Sequence, residues 1–192
     1  MPEVDEIRKT MIRQGIPTHL MEQIDFPKPD GNQPEEVLYL IEQMDKLLSP
    51  TLCLAIMEEQ GCHKDEKTTA PFRAFGLVHS GKTVAERLAL FDELVSPHKA
   101  PCRLNSDGTL TIFWDGWIAE RQHCVCGVVE KLYESRGGPQ DISITFCGCC
   151  AGHVRHTYQH ALGVTLHVKE IVSSPISSSG LKRCEFLFDI VE

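Results

Sequence analysis

The hydrophobic pattern of this 192-residue chain changes period once, near residue 100. Before that point apolar residues recur at helical spacing; after it they alternate as strands do. "VDEIRKTMIRQG" carries Ile7, Met11 and Ile12 and stops at Gly15. "PEEVLYLIEQMDKLL" follows a Pro/Gly/Asp breaker, with Pro34 in a first-turn position and acids behind it. Its apolar set is Val37, Leu38, Leu40, Ile41, Met44, Leu47 and Leu48. "SPTLCLAIMEEQG" restarts at Ser49–Pro50 and ends at Gly61. "TVAERLALFDELV" turns Val84, Leu88, Phe91 and Leu94 or Val95 to a core. Beyond residue 100, "GTLTIFWDG", "DISITF", "VTLHVKEIVSS" and "RCEFLFDIV" read as strands. A helix starting near Cys124 and another over "CAGHVRHTYQHALG" lie between them. The expected architecture is α+β, an α/β sandwich: a helical region over 1–98 packed on an antiparallel-sheet domain over 99–192.

Function classes narrow from charge and composition. With 42% hydrophobic and 24% charged residues the chain has the make-up of a globular protein. A net charge of -8 without a basic stripe argues against a nucleic-acid partner. No apolar run approaches the roughly 20 residues of a membrane helix. The charged start "MPEVDEIRKTMIRQG" is unlike a secretory signal. A cytoplasmic protein is expected, and the apolar N-terminal helices suit a homodimer.

Nine cysteines are many for such a chain, and an odd number argues against a fully paired disulfide framework. Cys53, Cys62 and Cys102 are scattered; Cys124, Cys126, Cys147, Cys149, Cys150 and Cys184 crowd the C-terminal half. Two C-x-C pairs, Cys124/Cys126 and Cys147/Cys149, sit where elements join, with Gly127 and Gly148 allowing sharp turns. Paired thiolates of this kind hold zinc when the fold brings them together. A helix N-terminus also lowers a thiol pKa, which suits either a metal or a nucleophile. The plainer alternative is cysteine as a small buried hydrophobe.

"FCGCCAGHVRHTYQH" adds three histidines. At about 100° per residue, Cys149, His153, His156 and His160 fall within about 60° of one another. Val154, Tyr158, Ala161 and Leu162 take the opposite side. The Cys/His face therefore meets either solvent or a ligand pocket. Cys150 lies off that face and reads as a core or redox residue. His63 beside Cys62 reads as incidental, and His123 beside Cys124 as an outer-sphere group.

The run "ITFCGCCAGHVRHTYQHALGVTLHVKEIVSSPISSSGLKRCEFLFDI" resembles the 4-vinyl-reductase-type ligand-binding domains. It is closer to uncharacterised bacterial relatives with two C-x-C motifs, grouped loosely with L-2-amino-thiazoline-4-carboxylate hydrolase-like proteins. The resemblance spans about residues 110–192 and is most specific over 141–192. It implies an antiparallel sheet, a pocket for a small apolar or aromatic molecule, and a structural zinc held by cysteines and a glutamate. Cys147, Glu170 and Cys184 match three of those ligand positions. The fourth falls on Ser173, a poor zinc ligand, and the loop before Cys184 is longer. The favoured metal set is therefore Cys124, Cys126, Cys147 and Cys149, with Glu170 and Cys184 in reserve and His153, His156 and His160 lining the pocket.

Three functions follow. The first is a zinc-stapled module that binds a small molecule. The second is a hydrolase of C–N or C–S bonds. It would use Cys149 or Cys150 with His153 as base, or an open zinc site with Glu170 or a histidine as general base and Asn105 as an orienting group. The third is a thiol redox or iron–sulfur protein, although the spacings match none of the usual ferredoxin patterns.

Overall fold

A computed structural model describes residues 2–28, 31–61, 65–95 (the Val95 side chain excepted), 102–114, 124, 126–136 and 142–191. Six helices come first: α1 (Val4–Arg13), α2 (Thr18–Met21), α3 (Gln33–Leu47), α4 (Pro50–Glu58), α5 (Glu66–Val78) and α6 (Val84–Val95). Strands β1 (Arg103–Leu104) and β2 (Leu110–Trp114) follow, then α7 (Gly127–Arg136) and a 3-10 turn over Ile144–Cys147. Helix α8 (Gly148–Leu162) leads into β3 (Thr165–Ser173) and β4 (Cys184–Val191). The sheet is antiparallel in the order β1-β2-β4-β3. The architecture is α+β, as the change of period implies.

Local chemistry explains most of the helices. Ser49 caps α4 by accepting from the Leu52 N–H at 3.3 Å. Thr83 and Glu86 cap α6 reciprocally: Glu86 accepts from the Thr83 N–H at 2.8 Å, and the Thr83 hydroxyl accepts from the Glu86 N–H at 3.3 Å. Val4, Ile7 and Met11 of α1 are buried, whereas Ile12 is 63% exposed and lies off the stripe. Leu94, also assigned to a core face, is exposed. Helix α5 has no counterpart among the sequence expectations. It carries Pro71 in its interior, and Asp65 starts it by accepting from the Thr68 N–H at 3.0 Å.

One expected strand is not formed. "DISITF" becomes the approach to the 3-10 turn over Ile144–Cys147. Asp45 of α3 accepts from the Ser143 hydroxyl and, at 2.7 Å, from the Thr145 hydroxyl, while the Ser143 oxygen takes the Thr145 N–H. These polar anchors hold a tight turn and bury Phe146.

Helix α8 lies between two apolar clusters. On one side Val154, Tyr158, Ala161 and Leu162 join Leu110, Ile112, Leu166, Val168, Phe186 and Phe188 of the sheet, with Leu88 and Phe91 of α6. On the other, the core of α1, α3, α4 and α7 reaches Phe146 and Cys149. Glycine permits the close crossings. A Cβ on Gly152 would stand 2.0 Å from the Glu58 carbonyl oxygen, and one on Gly76 would stand 2.4 Å from the His160 carbonyl oxygen. The helical region and the sheet domain therefore share their cores around α8.

Candidate functional site

The thiols gather where α7 begins and α8 begins. The Cys126 carbonyl accepts the Glu130 N–H at 3.1 Å, making Cys126 the residue that opens α7. The neighbouring Cys150 thiol, aided by the backbone amides of Val129 and Val128, pulls the Cys126 thiol down to about 6 against the desolvation of burial. Cys150 moves the other way: its bond to Cys126 and its burial push it well above the ordinary thiol range. The pair thus shares one proton, kept on Cys150.

Two further thiols flank the pair. Cys124 accepts from the Cys126 N–H, and burial raises it to about 11. Cys147, which ends the 3-10 turn, is raised chiefly by burial, and negative charge on Cys124, Cys184 or Cys126 would raise it further. The neighbouring Ser174 hydroxyl partly offsets this. Cys184 is 3% exposed at the start of β4. The electrostatics thus couple six cysteines, drawn from the approach to α7, from the 3-10 turn, from α8 and from β4.

Negative charge on Cys149 would also raise Cys150, but Cys149 faces away from the other thiols. It is buried, and its thiol donates to the Gln60 carbonyl at 3.3 Å, just beyond α4. The fourth thiol beside Cys124, Cys126 and Cys147 is Cys150, the residue that the helical wheel sets apart. Among the described residues, no group of three or more His, Cys, Asp or Glu side chains is disposed to hold a metal ion. The thiols are gathered without being closed on a common point.

The histidine face of α8 is only partly covered: His153, His156 and His160 are each half-buried, and His160 reaches a cleft. Helices α4 and α5 supply the cover. His153 stacks edge-on to Trp114 at 5.6 Å. His156 shares a 2.8 Å hydrogen bond with the Thr69 hydroxyl of α5 and stacks on His160 at 4.6 Å. Burial, and then the Arg73 charge, lower the His160 pKa. Of the catalytic candidates, Glu170 is exposed on β3, Cys149 is buried and His153 is half-buried. Ser173, the position where the resemblance breaks, gives its hydroxyl to the Arg183 carbonyl at 2.9 Å.

The remaining candidates have local roles or lie elsewhere. Cys53 is buried in the helical core and its thiol is pushed up to about 12, first by burial. Cys102 contacts the Tyr158 hydroxyl at 3.3 Å and is raised to about 12, again first by burial. Asn105 donates to the Thr109 and Thr111 hydroxyls at 2.9 Å each and shapes the β1–β2 turn. Cys62, His63 and His123 lie outside the described residues.

Two features escape the sequence reading. Glu58, with a side chain 5% exposed, accepts from Arg155 at 2.5 Å and from the Val168 N–H at 2.6 Å, and contacts His167 at 3.1 Å. It locks α4 to α8 and β3. The second is a cleft at the far end of α8, lined in part by Arg73, Arg87 and His160. Neither leaves a local motif, since each draws on elements far apart in the chain. No helix among the described residues is long and apolar enough to cross a membrane. No protein family, curated protein or solved structure matches this chain.

Proposed function

We propose that this chain is a zinc-stapled small-molecule-binding protein whose metal ligands are Cys124, Cys126, Cys147 and Cys150. The observation that carries this reading is the meeting of Cys126 and Cys150, with Cys124 and Cys147 beside them. An all-sulfur donor set suits zinc. Amide donors at the start of α7 favour the deprotonated Cys126 that a metal requires. Burial of Cys147 and partial burial of the others suit a closed structural site over an open catalytic one. Zinc would replace the thiol protons and tie the entrance of α7 to the first turn of α8. The resemblance over 141–192 supports both the metal and the small-molecule ligand. Relative to the sequence expectation, Cys150 takes the place of Cys149.

A second reading rests on the same pair. A depressed thiolate that accepts from a neighbouring thiol is the arrangement of a redox dithiol. Thiolate Cys126 would attack one sulfur of an external disulfide and release its other half as a thiolate. The Cys150 thiolate would then attack Cys126, close the Cys126–Cys150 disulfide and release the second half. Two electrons pass to the external disulfide; one released half takes the proton that Cys150 gives up, and the other leaves as a thiolate.

Elemental analysis of purified protein separates the readings. The zinc reading expects about one zinc per chain, without visible absorption. Metal-free protein whose Cys126 and Cys150 oxidise together would support the dithiol, and bound iron with visible colour would support a cluster.

A further inference from the structure

We infer that the cleft at the C-terminal end of α8 binds a small organic carboxylate with an apolar body. The cleft has a volume of about 860 Å³, within the usual range for small-molecule sites. It opens between α5, α6, the end of α8, the first residue of β3 and the last of β4. It lies about 20 Å along α8 from Cys150, at 1.5 Å per residue, and does not depend on the thiol cluster.

Arg87 is the central cation of the cleft. Its Nε is buried with no hydrogen-bond partner among the described residues. Among the described residues the guanidinium makes no hydrogen bond or ion pair. Its Nη1 lies so close to Gly163 that a Cβ there would come within 2.7 Å. Gly163 is the left-handed residue that ends α8, at φ +63°. The negative end of the α8 dipole helps to hold a cation there, but supplies no acceptor for the Nε proton. Buried donors in folded proteins are rarely left without an acceptor.

The surroundings select the acceptor. Among the described residues the lining contains two arginines and no Asp or Glu, in a chain of net charge -8. Arg73 is tied to Glu66 through Nη1 and Nη2 at 3.0 and 3.1 Å, which leaves Arg87 as the cation available to a ligand. Ser80 and Gln159 add hydrogen-bonding groups. Leu77, Val84, Val164 and Val191 supply apolar wall, with Leu77 70% exposed. A guanidinium fork matches a carboxylate in plane, and the adjoining apolar side chains match a short hydrocarbon or ring.

Amide NMR titration tests this with sodium hexanoate, hexan-1-ol and inorganic phosphate as probes. The expected result is saturable hexanoate shifts at the Gly76 and Gly163 amides, with hexan-1-ol and phosphate each binding much more weakly. Arg87→Met should weaken hexanoate by about tenfold or more, the loss expected for a charged hydrogen bond. Leu77→Asp changes an exposed side chain, keeps the fold, and should weaken hexanoate similarly. Absence of saturation, equal binding of hexan-1-ol, phosphate binding as tight as hexanoate, or unchanged affinity in Leu77→Asp would each overturn the inference.

Discussion

The Cys150 thiol, in the first turn of α8, neighbours the Cys126 sulfur at the start of α7, lowering the Cys126 pKa while its own rises. This contact joins two helices that the chain separates by a turn and a long connection. It also makes the two cysteines chemically unequal.

Cys126 in reduced, metal-free protein should alkylate with a pH midpoint near 6, well below Cys124 at about 11 and Cys53 and Cys102 at about 12. Cys150→Ala removes the main stabiliser of the thiolate and should move that midpoint up toward the ordinary thiol range of about 8.5. Iodoacetamide labelling across pH, read by peptide mass spectrometry, checks both values. A midpoint unaltered by Cys150→Ala would remove the contact from the account.

Gly152→Ala should destabilise the fold by about 3 kcal/mol or more, because its Cβ would meet the Glu58 backbone at 2.0 Å. Gly81→Ala, where a Cβ meets nothing within 4 Å, should stay within about 0.5 kcal/mol. Denaturant midpoints at constant slope decide this. Equal midpoints would mean that α4 and α8 do not cross so closely.

Glu58→Gln should cost about 3 kcal/mol, since it leaves the Arg155 guanidinium, at 15% side-chain exposure, without its charge partner. The loss should persist in high salt, unlike that of an exposed pair such as Lys9–Glu6. Urea unfolding with and without added salt gives the comparison.

His160 sets a pH dependence. Its imidazole has a lowered pKa, from burial and then from Arg73, so the unfolded chain takes up this proton more readily. The stability it permits is complete above the ordinary value of 6.5 and is lost as pH falls through the lower folded value. His160→Gln should flatten the melting temperature across that window. An unchanged acid slope would assign it to other groups.

Helices α3, α4 and α6 could be read from the sequence because their signals are local: Pro34, Ser49 and the Thr83–Glu86 box lie within one turn of the residues they cap. Helix α5 could not, because Pro71 masks it and much of what stabilises it comes from α8 through Gly76 and Thr69. The alternation of Ile142, Ile144 and Phe146 fits a strand, and the turn is held instead by Asp45 across a long stretch of chain. The wheel grouped Cys149 with the three histidines correctly as a helix face. What covers that face depends on Gly152, Gly61 and Gly76, whose close contacts are all between distant segments. The choice of Cys150 over Cys149 has the same origin, since it depends on where α7 begins in space.

The zinc content of Cys150→Ser and Cys149→Ser, each measured beside the unaltered protein, decides whether Cys150 is a ligand. About one zinc per chain is expected in the unaltered protein and in Cys149→Ser, and loss of zinc in Cys150→Ser. Retention of zinc in Cys150→Ser, or its loss in Cys149→Ser alone, would contradict Cys150 as a ligand.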